Sequence, residues 1–211
     1  MNKLEEIVNL MWTHESDINE HIPTLIKYGS ECDSIIEMGV RWITSTWGFL
    51  GCAPKNGLIS IDMRNPSTWN VGGKGENQAI IQRGYNTIEE VEEIAKEIGV
   101  DYKFIQVNVL DIDIEETDLL FLDTWHSFKQ LKAELNKFHS KVKKYIICHD
   151  TSTYANIDET NYEVLGPEWK ANIDEKQGIW SAIEEFLENN KDWKLEERIM
   201  YNNGLTILKR I

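Results

Sequence analysis

The sequence is poor in the residues that mark secreted, membrane-spanning and nucleic-acid-binding proteins. Its three cysteines, Cys32, Cys52 and Cys148, are widely spaced and form neither a disulfide framework nor a metal-binding pair. No apolar run approaches the ~20 residues that a membrane-spanning helix needs. The N-terminal stretch carries Glu5 and Glu6 within its apolar pattern, which is not the pattern of a signal peptide. We therefore expect a cytoplasmic protein with no membrane partner.

Basic residues are also scarce. The chain has 22 lysines and arginines against 36 aspartates and glutamates, which gives a formal net charge of −14. A duplex nucleic acid or an anionic membrane surface needs a basic footprint, so we expect no nucleic acid as a partner either. Most of the acids lie in helical stretches such as 86–99, where they are typical of a solvated helix face.

The four prolines form no linker, and the sequence contains no internal repeat. With 211 residues, of which 41% are hydrophobic, the chain can bury a sizeable core, and we expect a single domain over 1–211. Residues 1–29 are predicted to form an N-terminal helical extension. Its apolar residues can pack against a second copy of the chain as readily as against a sheet, so a homo-oligomer is one prediction. These residues are Leu10, Met11, Trp12, Ile22 and Ile26.

Apolar periodicity predicts strands that alternate with helices. Helices are expected over 3–12, 16–29, 44–53, 86–99, 127–139 and 178–189. Strands are expected over 34–38, 57–62, 102–107, 118–123 and 144–150. Near the C-terminus, Asn203 and Gly204 separate two strand-like runs, which is a hairpin signal. The fold class that follows is α/β: a Rossmann-like, doubly wound, mainly parallel sheet with a C-terminal antiparallel hairpin and helices on both faces.

Polar residues end most of the predicted parallel strands: Glu37, Asp62, Asn108, Asp123 and Asp150. In open sheets of this class, ligands bind at the carboxyl ends of the strands. Any one of these acids could merely cap a turn or helix. The gathering of all of them at one edge is the strongest functional signal in the sequence.

The first of these strand ends opens the stretch "IIEMGVRWITSTWGFLG", residues 35–51, which has the pattern of a nucleotide-binding strand, turn and helix. Its early glycine is Gly39, but Ile43 stands where such loops carry another glycine. A branched side chain there could narrow a cofactor pocket. The loop does not match G-x-G-x-x-G, so it would serve a pyrophosphate poorly.

Four stretches together resemble the class I S-adenosylmethionine-dependent methyltransferases. They are "IIEMGVRWITST", "LISIDMR", "DLLFLDTWHSFKQLKAELNKF" and "YIICHDTST". More narrowly, they are similar to the branch of cephalosporin-hydroxylase-like proteins and magnesium-dependent macrolide-sugar (macrocin-type) O-methyltransferases. The resemblance covers residues 30–154 well and implies the class I methyltransferase fold, S-adenosylmethionine as cofactor and a small-molecule acceptor.

The resemblance also implies a cofactor site. In that family, the acid at the end of the first strand orders the loop that follows. The glycine of this loop lets the backbone pass close to the cofactor, and the acid at the end of the second strand binds the ribose diol of the cofactor. Hydroxyl and N–H groups at the start of the following helix add donors, and the end of the third strand flanks the adenine. The implied cofactor-binding residues are Glu37, Gly39, Arg41, Thr44, Ser45, Thr46, Asp62, Asn108, Val109 and Asp123.

The same resemblance implies a divalent metal at Asp123, His149 and Asp150. Two carboxylates suit Mg²⁺, whereas an imidazole in place of the family's acid favours metals such as Mn²⁺. Alternatively, His149 is a base or hydrogen-bonds to a metal ligand without contacting the metal. A further alternative is that Asp123 orders the cofactor loop and no metal binds. His126 follows Asp123 by three residues and can take a proton from an acceptor hydroxyl, or it can simply cap its helix. The predicted catalytic residues are therefore His126, His149 and Asp150.

Two polar segments, 63–86 and 151–177, rise from the same edge and are predicted to form active-site loops or a lid. Their aromatic residues suit a sugar or an aromatic ring, or they pack the loops down. These are Trp69, Tyr154, Tyr162 and Trp169. The remaining histidines, His14, His21 and His139, lie in ordinary helix or cap contexts, and we expect no chemistry from them.

The function expected from the sequence is S-adenosylmethionine-dependent, divalent-metal-assisted O-methylation of a small hydroxylated metabolite or sugar, with Mg²⁺ or Mn²⁺. One alternative is a catalytically lapsed binding module, of which Ile43 would be the sign. Another is a different small-molecule enzyme on the same sheet, an oxidoreductase or a metal-dependent hydrolase, since fold alone does not fix chemistry.

Overall fold

A computed structural model describes residues 2–68, 81–160 and 176–211 of the chain. Within these ranges, seven strands form one sheet in the order β3-β2-β1-β4-β5-β7-β6. The strands are β1 (Ile35–Met38), β2 (Leu58–Asp62), β3 (Tyr102–Gln106), β4 (Thr117–Leu122), β5 (Val142–His149), β6 (Trp193–Ile199) and β7 (Leu205–Arg210). The helices are α1 (Lys3–Thr13), α2 (Ile22–Gly29), α3 (Thr44–Leu50), α4 (Ile88–Ile98), α5 (Phe128–Phe138) and α6 (Ile179–Asn189).

The first five strands are parallel, and β7 runs antiparallel to both β5 and β6. This confirms the predicted doubly wound sheet with a C-terminal hairpin. The hairpin turns at Asn202, Asn203 and Gly204, all of which have positive φ values. Asparagine and glycine tolerate that conformation best, which explains why the Asn-Gly signal was informative.

The core lies in two layers, one on each face of the sheet. On one face, α1 to α4 bury residues such as Ile7, Leu25 and Val91. On the other, α5 and α6 bury Leu131 and Phe186 against the strands. The N-terminal helices α1 and α2 thus bury apolar residues within this core layer, chiefly against α3 and each other. Homo-oligomerisation stays a prediction. None of the described helices is long and apolar enough to cross a membrane.

The second N-terminal helix begins later than the sequence predicts. Instead of a helix from residue 16, the chain forms a 3₁₀ turn at Asn19–His21 and enters α2 only at Ile22. The reason is local. The Asn19 side chain accepts a hydrogen bond from the Ser16 N–H at 3.1 Å, and the Ser16 hydroxyl accepts from the Ile18 N–H. Side-chain oxygens therefore compete with the helix for these backbone donors.

The two predicted lid segments are described only in part. Trp69, Tyr162 and Trp169 lie outside the described residues, so their role stays a prediction. Tyr154 is described, and its ring stacks on His126 with 4.9 Å between ring centres. That contact places the start of the second segment directly over the site.

Candidate active site

Glu37 on β1 is fully buried and anchors the loop that follows it. Its carboxylate accepts hydrogen bonds from the hydroxyls of Ser45, Thr46 and Ser60 at 2.5–2.7 Å. Burial raises the pKa of Glu37 to about 7, although the three hydroxyls oppose the shift. The carboxylate does not line the cavity described below. It instead fixes the start of α3 against β1 and β2, which agrees with the loop-ordering role that the resemblance implies.

Gly39 sits where β1 meets the end of β4. Its φ is +86°, and a Cβ atom there would lie 1.9 Å from the carbonyl oxygen of Asp123. Glycine is therefore required by the approach of two backbones. Ile43, two residues before Ser45, also has a positive φ of 65°. Its side chain is completely buried in the α1–α4 core layer and does not line the cavity. The isoleucine side chain therefore does not narrow the predicted cofactor pocket.

Asp62 ties the end of β2 to the same loop. One carboxylate oxygen, Oδ2, accepts hydrogen bonds from the N–H groups of Val40 at 2.8 Å and Arg41 at 3.2 Å. The other, Oδ1, accepts from the N–H of Arg64 at 2.9 Å. A carboxylate oxygen can accept two hydrogen bonds, so Oδ1 keeps capacity for a ligand hydroxyl. Asp62 thus shapes the loop, and ribose binding stays a prediction.

A cavity of about 320 Å³ opens at this edge of the sheet. Eight of the ten predicted cofactor-binding residues line it, and only Glu37 and Thr46 lie beneath the surface. The eight are Gly39, Arg41, Thr44, Ser45, Asp62, Asn108, Val109 and Asp123. The Asn108 side-chain oxygen accepts a hydrogen bond from the Leu110 N–H. The remaining wall includes His126 and Asp150, so predicted cofactor and catalytic residues share one cavity.

Two histidines and three carboxylates cluster at the other end of the cavity, where Asp123, His126, Asp150 and Glu159 line the wall and the predicted catalytic residue His149 lies buried behind it. Asp123 Oδ1 lies 3.2 Å from His126 Nε2 and also 3.2 Å from His149 Nδ1. Asp150 Oδ2 lies 3.0 Å from His126 Nε2 and 3.4 Å from His149 Nδ1. On its other side, His126 Nδ1 lies 2.9 Å from the carboxylate of Glu159.

This charge density shifts the titration of the cluster. Burial opposes ionisation of Asp123, but His149 and His126 outweigh it and hold the pKa of its carboxyl well below its usual range. Burial likewise disfavours charged imidazoles. The surrounding carboxylates nevertheless raise the pKa of His149 to about 9 and that of His126 well above its ordinary value. The carboxylates thus favour the protonated form of both rings when no other cation is present.

The donor set fits a divalent cation. One ligand atom each from Asp123, His126 and Asp150 lie within 4.8 Å of one another, and His149 Nδ1 approaches the same two carboxylates. Two carboxylates with one or two imidazoles suit Mn²⁺ and related metals and also admit Mg²⁺. The predicted ligands Asp123, His149 and Asp150 do come together, and His126 lies equally close. Which imidazole serves stays a prediction.

The cavity also fits a polar ligand at its loop end. The Thr44 hydroxyl is buried at the start of α3 and has no hydrogen-bond partner among the described residues. Buried hydroxyls are nearly always paired, so an unpaired one in a cavity wall marks a place for a ligand. The donors here suit a carboxylate, such as the one that an amino acid moiety carries.

Sequence reasoning missed two acidic residues of this cavity. Asp17, between α1 and α2, lines the wall with its carboxylate 3.5 Å from Arg41. Burial, followed by the charge of Asp123, raises the pKa of Asp17 to about 6. Glu159 lay inside a predicted lid segment but carried no motif. Only the fold brings either residue to the site, so no local signal could have found them.

No family model and no curated protein matches the chain by sequence. Among solved structures, the chain is similar to the S-adenosylhomocysteine-bound methyltransferase PaMTH1 of Podospora anserina. The identity is 13%, the match covers 100% of this chain and 89% of that chain, and the TM-score is 0.55. It is also similar to the O-methyltransferase TomG from Streptomyces achromogenes, solved with S-adenosylmethionine. There the identity is 11%, the coverage 100% and 90%, and the TM-score 0.55.

A ribosomal protein methylase from Lactobacillus delbrueckii is a further structural neighbour. It has 12% identity, covers 91% of this chain and 79% of that chain, and gives a TM-score of 0.51. At such identities the likeness shows the fold alone. The chain has the Rossmann-like class I methyltransferase fold. Because these neighbours include an enzyme that methylates a protein, the fold alone does not identify the methyl acceptor.

Proposed function

We propose that this protein is an S-adenosylmethionine-dependent O-methyltransferase, assisted by a divalent cation, that acts on a small hydroxylated metabolite or sugar. One observation carries the proposal. The loop residues expected to hold the cofactor and the charged cluster expected to activate a hydroxyl line a single cavity of about 320 Å³. The solved neighbours with S-adenosylmethionine or its product bound support the same cofactor.

On the cofactor side, Gly39 and the N-terminus of α3 would face the amino acid moiety, with the Thr44 hydroxyl as a donor. Asp62 Oδ1 would accept from the ribose, and Asn108 and Val109 would flank the adenine. The cofactor supplies a methyl group on a positively charged sulfur. The residues of this half bind and orient, which is where most of the rate advantage of a methyl transfer arises.

On the acceptor side, Asp123 and Asp150 with His126 or His149 would hold the cation. A divalent cation in such a site favours the ionised form of a bound hydroxyl. The imidazole that does not hold the cation, neutral once the charge of the cation has displaced its proton, would accept the proton of the acceptor hydroxyl. Asp150 pairs with both rings and keeps them oriented. Tyr154, stacked on His126, shields that ring from water.

The cavity favours a small, polar acceptor. The wall beyond His126 carries Asp17 and Glu159, which accept hydrogen bonds, beside Arg41, which donates them. Several hydroxyls on one compact molecule match such alternating groups, as in a sugar or another polyol. An apolar ring would remove water from these polar groups without offering them hydrogen bonds.

Titration calorimetry with S-adenosylmethionine and S-adenosylhomocysteine, with Mg²⁺, with Mn²⁺ and with chelator, tests the proposal. We expect a dissociation constant on the order of micromolar, which corresponds to about 8 kcal/mol. Thr44→Val should weaken binding without changing the loop backbone, whereas Asp62→Ala should weaken binding and also loosen the loop. Absence of binding under every condition would reject the methyltransferase and favour a binding module. Binding with no transfer to any sugar or polyol would reject only the acceptor class.

A further inference from the structure

His21, from the segment between α1 and α2, lies behind the reactive cluster and not in the cavity wall. It is completely buried, and its Nε2 atom lies 2.8 Å from the backbone carbonyl oxygen of Asn202. A carbonyl only accepts, so the hydrogen bond requires a proton on Nε2. In a neutral ring that is the single proton, so Nδ1 carries a lone pair.

His21 Nδ1 is a buried acceptor with no hydrogen-bond partner among the described residues. His149 presents the complementary case. Its Nδ1 faces Asp123 and Asp150, and its Nε2 is buried without a partner among those residues. The two rings meet edge to face, with 5.7 Å between their centres. One unpaired nitrogen on each of two adjacent, buried rings calls for a common explanation, because isolated buried polar atoms are costly.

We propose that His21 is a positioning residue for the active site: one buried water bridges the two rings, accepting the Nε2 proton of His149 and donating to His21 Nδ1. His149 then keeps its Nε2–H and directs Nδ1 at Asp123 and Asp150, so that Nδ1 donates to these carboxylates when no cation is bound and offers its lone pair when one is. That is the orientation in which the imidazole can ligate a cation or take a proton. Histidine ligands are commonly fixed in this way by a partner on the other ring nitrogen.

The turn of the C-terminal hairpin sets this arrangement. Asn202 and Asn203 have φ values of 42° and 66°, which direct the Asn202 carbonyl toward His21. The ring of Tyr201 stacks on His21 with 5.4 Å between centres. A line of contacts thus runs from the hairpin turn through His21 to His149 and the carboxylates. The proposal rests on the proposed function only in treating this cavity as the active site.

Nitrogen-15 NMR of the histidine rings tests the proposal on the intact chain without substrate. We expect His21 to carry its proton on Nε2 and a bare Nδ1, and His149 to show an Nε2–H that exchanges slowly with water. In His21→Phe that proton should exchange much faster. His21→Gln should restore slow exchange, since its amide can donate to Asn202 and accept from the bridging water. A His149→Asn variant assigns the resonances.

Binding of Mn²⁺, followed by electron paramagnetic resonance, gives a second readout. His21→Phe should weaken Mn²⁺ binding on the order of tenfold, as loss of an outer partner does elsewhere, and His21→Gln should largely restore it. His139→Phe is the matched control, because His139 Nδ1 also has no partner in the part of the chain that the structure describes but lies beside Phe186. It should leave Mn²⁺ binding unchanged.

A proton on His21 Nδ1, or a bare His149 Nε2, would overturn the proposal. Equal Mn²⁺ affinity in wild type and His21→Phe would overturn it as well. If wild type bound no Mn²⁺, the metal assistance in the proposed function would fail, and the ring-proton pattern would still decide the role of His21. Cofactor binding is measured separately and does not enter this test.

Discussion

The two ends of the cavity are built on opposite principles. At the loop end, between Gly39 and Thr46, nearly every polar group is paired by the protein itself: Glu37 by three hydroxyls and Asp62 by three backbone N–H groups. At the reactive end, two imidazoles are crowded among Asp123, Asp150 and Glu159. The loop end holds its carboxylates without a ligand and leaves the Thr44 hydroxyl for one, whereas the reactive end concentrates charged groups.

This difference separates what folding requires from what chemistry requires. Groups that are paired within the protein hold the loop in place, so changes at the loop end should act first on stability. A crowded, buried cluster of ionisable groups is tolerated for another purpose, because natural proteins break the rules of stable packing mainly at functional sites. Changes at the reactive end should therefore cost binding or activity and little stability.

The largest effect is expected from Gly39→Ala. The added methyl group would collide with the Asp123 carbonyl and force β1 and β4 apart, on top of the strain of a positive φ. We expect a loss of roughly 4 kcal/mol or more in the free energy of unfolding, measured with urea. Gly99→Ala is the control, since Gly99 has a φ of +75° with nothing within 4 Å. It should lose only ~1 kcal/mol. Equal losses would mean that crowding at Gly39 does not matter.

The second prediction concerns Glu37→Gln and pH. The pKa of Glu37 is raised from 4.5 to about 7 in the folded protein, mainly by burial. Its contribution to stability is thus fully present below pH 4.5 and is lost as the pH rises through about 7. Glutamine mimics the protonated acid. The variant should gain on the order of 3 kcal/mol relative to wild type between pH 4.5 and 8. If the free energies of unfolding of the two proteins changed equally with pH, the raised pKa of Glu37 would be contradicted.

Asp150→Asn tests the reactive end. Asp150 has a φ of 59°, which asparagine tolerates as well as aspartate does, so the substitution removes charge and little else. We expect Mn²⁺ affinity to fall at least ~10-fold, while the free energy of unfolding changes by less than ~1 kcal/mol. Calorimetry and urea unfolding measure the two quantities on the same sample. A large loss of stability with unchanged Mn²⁺ binding would contradict the view that the reactive end serves binding and not stability.

The sequence was informative where backbone pattern decides the outcome. Apolar alternation predicted all seven strands, and the Asn203-Gly204 turn predicted the hairpin, because these signals are local. The strand-end residues Asp62, Asp123 and Asp150 were predictable because parallel strands end at one edge. Asp17 and Glu159 were not, because only tertiary packing brings them to the cavity. His21 was dismissed for the same reason.

Ile43 shows the limit of aligning a motif without its backbone. The position was suspected of narrowing the cofactor pocket, because a glycine is expected there. In the fold, a left-handed φ of 65° turns the isoleucine side chain into the core, fully buried. The glycine conformation is therefore preserved while the side chain serves packing. A β-branched residue in this conformation is strained by about 1–3 kcal/mol, which its burial must offset.

The smallest effect is expected from Ile43→Val, which shortens this side chain by one methylene and leaves its branching intact. Because the side chain contacts the core and not the cavity, we expect S-adenosylmethionine affinity to stay within about twofold of wild type, a difference below ~0.5 kcal/mol. The free energy of unfolding should fall by about 1 kcal/mol, as for other buried isoleucines. Ile7→Val, in the same core layer, provides the matched loss of stability without any link to the loop. If Ile43→Val bound the cofactor several-fold more tightly than Ile7→Val, the isoleucine would be restricting the pocket after all, and the loop end would be less complete than its hydrogen bonds indicate.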